Sequence, residues 1–324
     1  SIHAPANTLV IFPAGFDPYT DLIAYSSAGV THTEGSPLVV PAGQGFLGRG
    51  EIRDNVHNYG TISSTESYED SESLHLAGGV KVFSGVLDCG YEGVVTVNNL
   101  DSGIEGGTLR AGLYVGRENG TGEFTQTDGT VESSIYVGFL ENSNGTYRMS
   151  GGTIDADHVY VGNSGGGGRL NAVGRFAQTG GTVKAGRVWV GKDENSDGTY
   201  ELSDGRMELY RFFLGGGSAR FVQTGGVVEC ESSVNIGQPD TVTARYELID
   251  GSLTAGYISL RYGGQTSMEQ IGGTVALSGG LSLGNTSTGG DPENGTYALD
   301  GGSLTVPLCQ VGRGGEFSHQ AGVS

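Results

Sequence analysis

Five aromatic residues hold the same place in a recurring phrase. Tyr114, Tyr136, Tyr160, Trp189 and Phe213 each stand between two apolar residues, as in Leu113-Tyr114-Val115 and Val188-Trp189-Val190. Side chains alternate between faces along a β-strand, so an inward-pointing flanking pair turns the aromatic residue outward. If successive phrases stack as strands about 4.8 Å apart, the five rings form a ladder roughly 20 Å long. Three readings are open. The rings can stabilise a sheet as a same-face ladder, form an apolar contact for a protein or another copy of the chain, or offer a stacking platform to sugars. Asn235, Ser259, Ser282 and Gln310 take the place in later phrases and bound the patch.

Two further groups could do chemistry. Asp193-Glu194-Asn195-Ser196-Asp197-Gly198 has the D-x-N-x-D-G spacing of a calcium loop, with Asp204 at the twelfth position. Asp193, Asn195 and Asp197 can converge on one Ca2+ where the glycine allows a tight bend. No flanking helices are expected, so this is not an EF-hand, and a plain polar turn uses the same residues. Asp155, Asp157 and His158 lie one phrase before Lys184, Arg187 and Lys192. A polysaccharide lyase or hydrolase needs such a cluster, as paired carboxylates or as a base beside calcium. Alternating charges are also what a solvated strand face carries. No Ser-His-Asp set, metal-spaced His/Cys cluster or phosphate loop stands out, so the balance leans away from an enzyme. Asn119, Asn144, Asn285 and Asn294 open N-x-S/T sequons, a match that chance supplies in a chain this rich in Gly, Ser and Thr.

The elements that position these residues are read from the phrase RFAQTGGTVKAGRVWVG, Arg175 to Gly191. Aligning its second turn glycine gives Gly107, Gly129, Gly152, Gly181, Gly205, Gly226, Gly251, Gly273, Gly302 and Gly322. That period of about 24 residues marks stacked supersecondary units. Each unit has three short alternating runs. The first places Phe124, Tyr147, Phe176, Tyr200, Phe221 and Tyr246 inward; the second, Val131, Ile154, Val183 and Met207; the third, pairs such as Ile135/Val137 and Val188/Val190. The fold class is therefore all-β: a parallel β-helix (β-solenoid) with three short strands per coil, expected to be right-handed by analogy with other coils of this length. A coil cannot bury its own apolar faces and needs a coil above and below. Each inward Val, Leu or Phe then contributes roughly 1.5–3 kcal/mol. Arg261 stands where the glycine closing the third run is expected, so that corner must be built differently.

A finer period lies within this one. Gln126, Gln178, Gln223 and Gln270 alternate from coil to coil with Met149, Leu202, Leu248 and Leu299. Duplication of a two-coil unit explains the pattern. So does a bond from each buried amide to a neighbouring Tyr hydroxyl or backbone group, because a buried amide needs a partner. A coil twice as long with two different faces is the third option.

The chain has 324 residues, 61 of them glycine, and a net charge of −19. An acidic surface argues against nucleic acid and anionic membranes as partners. It also makes an acidic polysaccharide a poor substrate unless calcium bridges the two. No apolar run is long enough to span a membrane. Cys89, Cys230 and Cys309 are expected as buried free thiols, since Cys230 and Cys309 fall in different strand slots about three coils apart. Residues 1–45 show no repeat and suit an N-terminal cap; 46–105 form irregular coils; 106–324 form regular coils that end inside a second strand. The start at Ser1 suggests a processed or excised terminus. The apolar end at Leu304, Val306, Val311 and Val323 is expected to be covered, by further chain or by a head-to-tail copy in a filament.

The pattern F/Y-x-Q-T-G-G-T-V-x-A…V-x-V-G resembles the glycine-rich β-solenoid repeats of bacterial exported surface proteins, namely PEP-CTERM-type proteins and autotransporter passenger domains. LGRGEIRDNVHNYGTI, residues 47–62, is similar to a coil common in such passengers. The resemblance covers residues 46–324 and is specific for architecture. It implies an extracellular or cell-surface location and a structural or adhesive role, with self-association, another surface protein or a polysaccharide as partner. The alternative is a carbohydrate-active β-helix, catalytic or not. These families share no catalytic motif, and their sorting signal and membrane barrel are not found within residues 1–324, so no attachment is implied.

Overall fold

The computed structural model describes residues 12–13, 30–32, 37–64, 73–90, 92–165, 171–238, 243–261, 264–285 and 294–319. Gly322, Val323 and most of the expected N-terminal cap lie outside them. The described residues form no helix. Their strands pair in parallel from coil to coil as a solenoid of about 11 turns. Thr121–Gln126, for instance, pairs residue by residue with Asn144–Met149 of the next coil. This one-coil register excludes the coil of double length. Parallel pairing reaches back to Val30–His32 and Leu38–Val40, which lie beside Gly50–Ile52 and Val56–Asn58. Phe12–Pro13 joins Gln44–Gly48 antiparallel.

Alternation sets the core. Val131, Ile154, Val183, Met207 and Val228 are fully or almost fully buried in the second run, as are Val188 and Val190 in the third. In Ala172–Val190 and Ser196–Leu214 the runs join into single long elements. The bend between the first and second runs needs glycine. Every described member of the aligned column, Gly107 to Gly302, has φ between 67° and 97°. At Gly181 an added Cβ would lie 2.7 Å from the Gly152 carbonyl oxygen. Arg261 is not among the residues of positive φ. Its Nε instead donates to Ser259 Oγ at 2.5 Å.

The alternating glutamines are bonded to tyrosines. Tyr147, Tyr200, Tyr246 and Tyr297 donate to Gln126, Gln178, Gln223 and Gln270 Oε1 at 2.6–2.7 Å. Each amide nitrogen then donates to two carbonyls, for example Gln178 to Gly181 at 3.2 Å and Arg206 at 3.2 Å. The rings of Tyr147, Phe176 and Tyr200 stack through the core at 4.6 and 4.5 Å. Burial pushes these tyrosines well above the usual phenol range.

All three thiols are free, but Cys309 is exposed rather than buried. It occupies the inward slot beside Leu281, and no described coil lies over it. Burial pushes the Cys230 thiol up to about 11. Leu304 and Val306 are partly buried and Val311 is exposed in that same coil.

Candidate functional site

The outward face of the third run carries the aromatic residues in register. Tyr114 pairs with Tyr136, Tyr136 with Tyr160, Tyr160 with Trp189 and Trp189 with Phe213. Phe213 then lies beside Asn235, where the column turns polar. All five rings are half-buried. Tyr114 and Tyr136 stack at 4.5 Å and 4°, Tyr136 and Tyr160 at 4.9 Å and 20°. Trp189 and Phe213 stack at 3.9 Å and 10°. Phe139 packs beside Tyr114 and Tyr136 at 5.2 and 4.9 Å.

This geometry decides what the strip can present. Rings stacked along the coil axis offer their faces to one another and their edges to solvent. The terminal rings of the tyrosine stack are occupied too. The Arg117 guanidinium lies 4.8 Å from the centre of Tyr114, and Lys192 Nζ lies 4.7 Å from that of Tyr160. Both distances suit cation–π contact. Lys192 sits on the end ring of the tyrosine stack, beyond which Trp189 and Phe213 form a separate pair. The strip is a row of ring edges and hydroxyls with little open face for a pyranose or a base. Burial and the neighbouring phenols push the Tyr136 hydroxyl up to about 12.

A second column runs two residues upstream of the rings. His158 pairs with Arg187 and Arg187 with Arg211, preceding Tyr160, Trp189 and Phe213 respectively. Arg211 was not singled out from the sequence, although H-V-Y-V-G, R-V-W-V-G and R-F-F-L-G at these places carry the signal. Burial first, then Arg187, lowers the affinity of His158 for a proton. His158 Nδ1 and Arg211 Nε are covered and have no hydrogen-bond partner among the described residues. Most of the other described bases meet acids. Arg110 meets Glu132 at 2.6 Å, Arg148 meets Glu123 at 2.9 Å, and Arg245 meets Glu247 at 3.2 Å and Glu269 at 2.5 Å. Lys184, beside Asp155 in register, forms its ion pair with Glu208 at 3.6 Å. No family model, curated protein or solved structure matches this chain.

The calcium-spaced residues are placed differently. Asp193 Oδ2 accepts from the Gly165 amide at 3.0 Å, and the Ser196 hydroxyl donates to the Asp193 carbonyl at 2.6 Å. Asp197 already lies in the extended element Ser196–Leu214. Asp204 is seven extended residues further on, about 20 Å away, so it cannot share a cation with the other three. Among the described residues no three His, Cys, Asp or Glu side chains are grouped to hold a metal. The described residues include no helix long and apolar enough to cross a membrane.

A groove of about 750 Å³ opens on the neighbouring corner, where Glu208, Tyr210, Glu229 and Glu231 overhang a floor that includes Leu209 and Cys230. Small residues at this corner, Cys230, Ala255 and Ala276, leave the space. Arg206 ties two of the carboxylates, with Nε 2.8 Å from Glu208 and Nη2 on Glu229. Glu231 is exposed.

Proposed function

We propose that this chain is an extracellular, cell-surface β-solenoid of structural or adhesive function, and that the outward face of its third run makes the contact. The observation that carries this reading is the bounded column of five half-buried rings in register, flanked by Arg187, Arg211 and Lys192, which join none of the ion pairs among the described residues. Contiguous apolar surface of this kind marks interaction faces more often than free surface does. The repeat's resemblance to exported surface proteins points the same way.

The test is adhesion of beads carrying the purified chain to polysaccharide- and protein-coated surfaces, together with sedimentation velocity for self-association. Tyr136→Ser with Phe213→Ser should weaken the contact at least tenfold. Glu201→Ser, on the exposed face of another run, should leave it unchanged. Equal adhesion by native chain and ladder variant would remove the reading.

A carbohydrate-active enzyme is the second reading, and the carboxylate-lined groove favours it. Retaining and inverting hydrolysis both require two carboxyl groups across the scissile bond. With Glu208 and Glu229 both tied by Arg206, Glu231 has to supply one of them. Release of reducing ends from a polysaccharide, lost in Glu231→Gln, would transfer the function to this groove.

A further inference from the structure

Two guanidinium groups and an imidazole stand in line on a chain of strongly negative charge. His158, Arg187 and Arg211 are register neighbours in consecutive coils, and Lys192 reaches across Tyr160 beside them. None of the ion pairs among the described residues includes Arg187, Lys192 or Arg211. Asp157 acts on His158 and Asp193 on Tyr160, and neither stands in the column. A net charge of −19 repels polyanions in general. An anion therefore finds attraction only where several bases converge without acids between them.

We propose that this column, with Lys192, binds an acidic glycan: a linear polysaccharide carrying carboxylate or sulfate groups at regular intervals. The inference rests on the contact-face reading and names its ligand. The coils set the basic side chains at the constant spacing of neighbouring strands, about 4.8 Å, as a stiff polymer sets its pendant anions. Two positions away, the Tyr160 hydroxyl and the Trp189 indole N–H provide hydrogen-bond partners for sugar hydroxyls. Single-stranded nucleic acid needs open ring faces on which bases stack. Here Trp189 and Phe213 each give one face to the other, and Lys192 lies on Tyr160. A flexible acidic peptide loses more conformational freedom when laid along a rigid line than a stiff glycan does.

Trp189 is the only tryptophan in the chain, so its fluorescence reports the site directly. The probes are a heparin-derived decasaccharide and an oligogalacturonate, with an oligothymidylate, poly-glutamate and a neutral dextran oligomer as comparators. At low salt the acidic oligosaccharides should bind best. Their log K should fall with log salt at a slope of about −2 to −3, as the three charge contacts of Arg187, Arg211 and Lys192 imply. Arg187→Gln with Arg211→Gln should weaken binding at least tenfold, while Lys184→Gln, whose amine is paired with Glu208, should not change it. The proposal is overturned by any of three results: neither acidic oligosaccharide binds; oligothymidylate or poly-glutamate binds as tightly; or the double glutamine variant binds like the native chain. If glycan binding fails while the ladder variant still loses adhesion, only the ligand is wrong. If glycan binding holds and the ladder variant adheres normally, the aromatic contact face is wrong.

Discussion

Replacing Tyr200 by Phe removes one hydroxyl from the middle of the core and leaves the ring. Tyr200 is wholly buried, stacked on Phe176 at 4.5 Å, with its hydroxyl 2.6 Å from Gln178 Oε1. Stacking and apolar burial survive the change. The amide oxygen is then left without a donor where water does not reach, at a cost of about 1–3 kcal/mol. Gln178→Met does more, because it orphans the hydroxyl and withdraws two donations to the Gly181 and Arg206 carbonyls. In the equivalent coil the Gly129 carbonyl also accepts from the Thr153 amide at 2.8 Å, so a second bond is lost there and not the only one. The expected cost is about 2–4 kcal/mol. Together the two changes leave no orphan at the hydroxyl–amide contact. The double variant should therefore be less destabilised than the sum by about 1–2 kcal/mol. Urea unfolding followed by near- and far-ultraviolet dichroism measures this. Coils couple only to their neighbours, so free energies are taken where the two transitions coincide. Additivity within about 0.3 kcal/mol would refute a shared bond.

Burial raises the pKa of Tyr147, Tyr200 and Tyr246 above the unfolded value; the folded chain thus holds more protons above pH about 10, and stability should fall as pH rises past that point. Urea midpoints on either side of it check this, with a shallower fall expected in Tyr200→Phe. Gly181→Ala forces a Cβ against Met149 Cε at 2.6 Å and the Gly152 carbonyl at positive φ, whereas at Gly112 the nearest atom would be 3.5 Å away; the first should cost more than 1 kcal/mol and the second gain up to about 1 kcal/mol by melting comparison. Without Asp204 the loop at Asp193, Asn195 and Asp197 should bind Ca2+ no tighter than about 10⁻⁴ M by calorimetry, and chelator should leave the melting midpoint of both native chain and Asp197→Ala unchanged.

Alternation and period made the architecture legible. Val188 and Val190 had to share a face, which put Trp189 on the other, and the glycine column predicted where the backbone turns left-handed. The glutamine–tyrosine bonds were legible as one of three options, because an amide buried between aliphatic layers has few partners to choose from. The use of the ring faces was not legible. Stacking depends on rotamers and on where Lys192 lies, and neither follows from strand alternation. The groove was also missed, because a row of small side chains at a corner reads equally well as tight packing. Asp204 misled for a plain reason. The twelfth-position rule assumes a compact loop, and here Asp197 and Asp204 are joined by extended chain that carries the carboxylate away.

Stability alone does not explain the basic column. Like charges on directly opposed strand residues are destabilising, and most other basic residues among those described meet a carboxylate. Arg187 lies between His158 and Arg211 with no acid in line. Its guanidinium helps to hold His158 below the usual imidazole range, after burial itself. Arg187→Glu would place a carboxylate between the two bases. The expected gain is roughly 0.2–1 kcal/mol, and His158 should titrate higher than in the native chain by proton resonance. The depressed native pKa gives stability present above pH about 6.5 and lost as pH falls through the folded value, so the variant should also lose less stability on acidification. Its affinity for the acidic oligosaccharides should collapse. A variant that is more stable yet no longer binds marks a column kept for its ligand. A variant that is less stable would mean that Arg187 holds the coil together, and the case for a binding line would go with it.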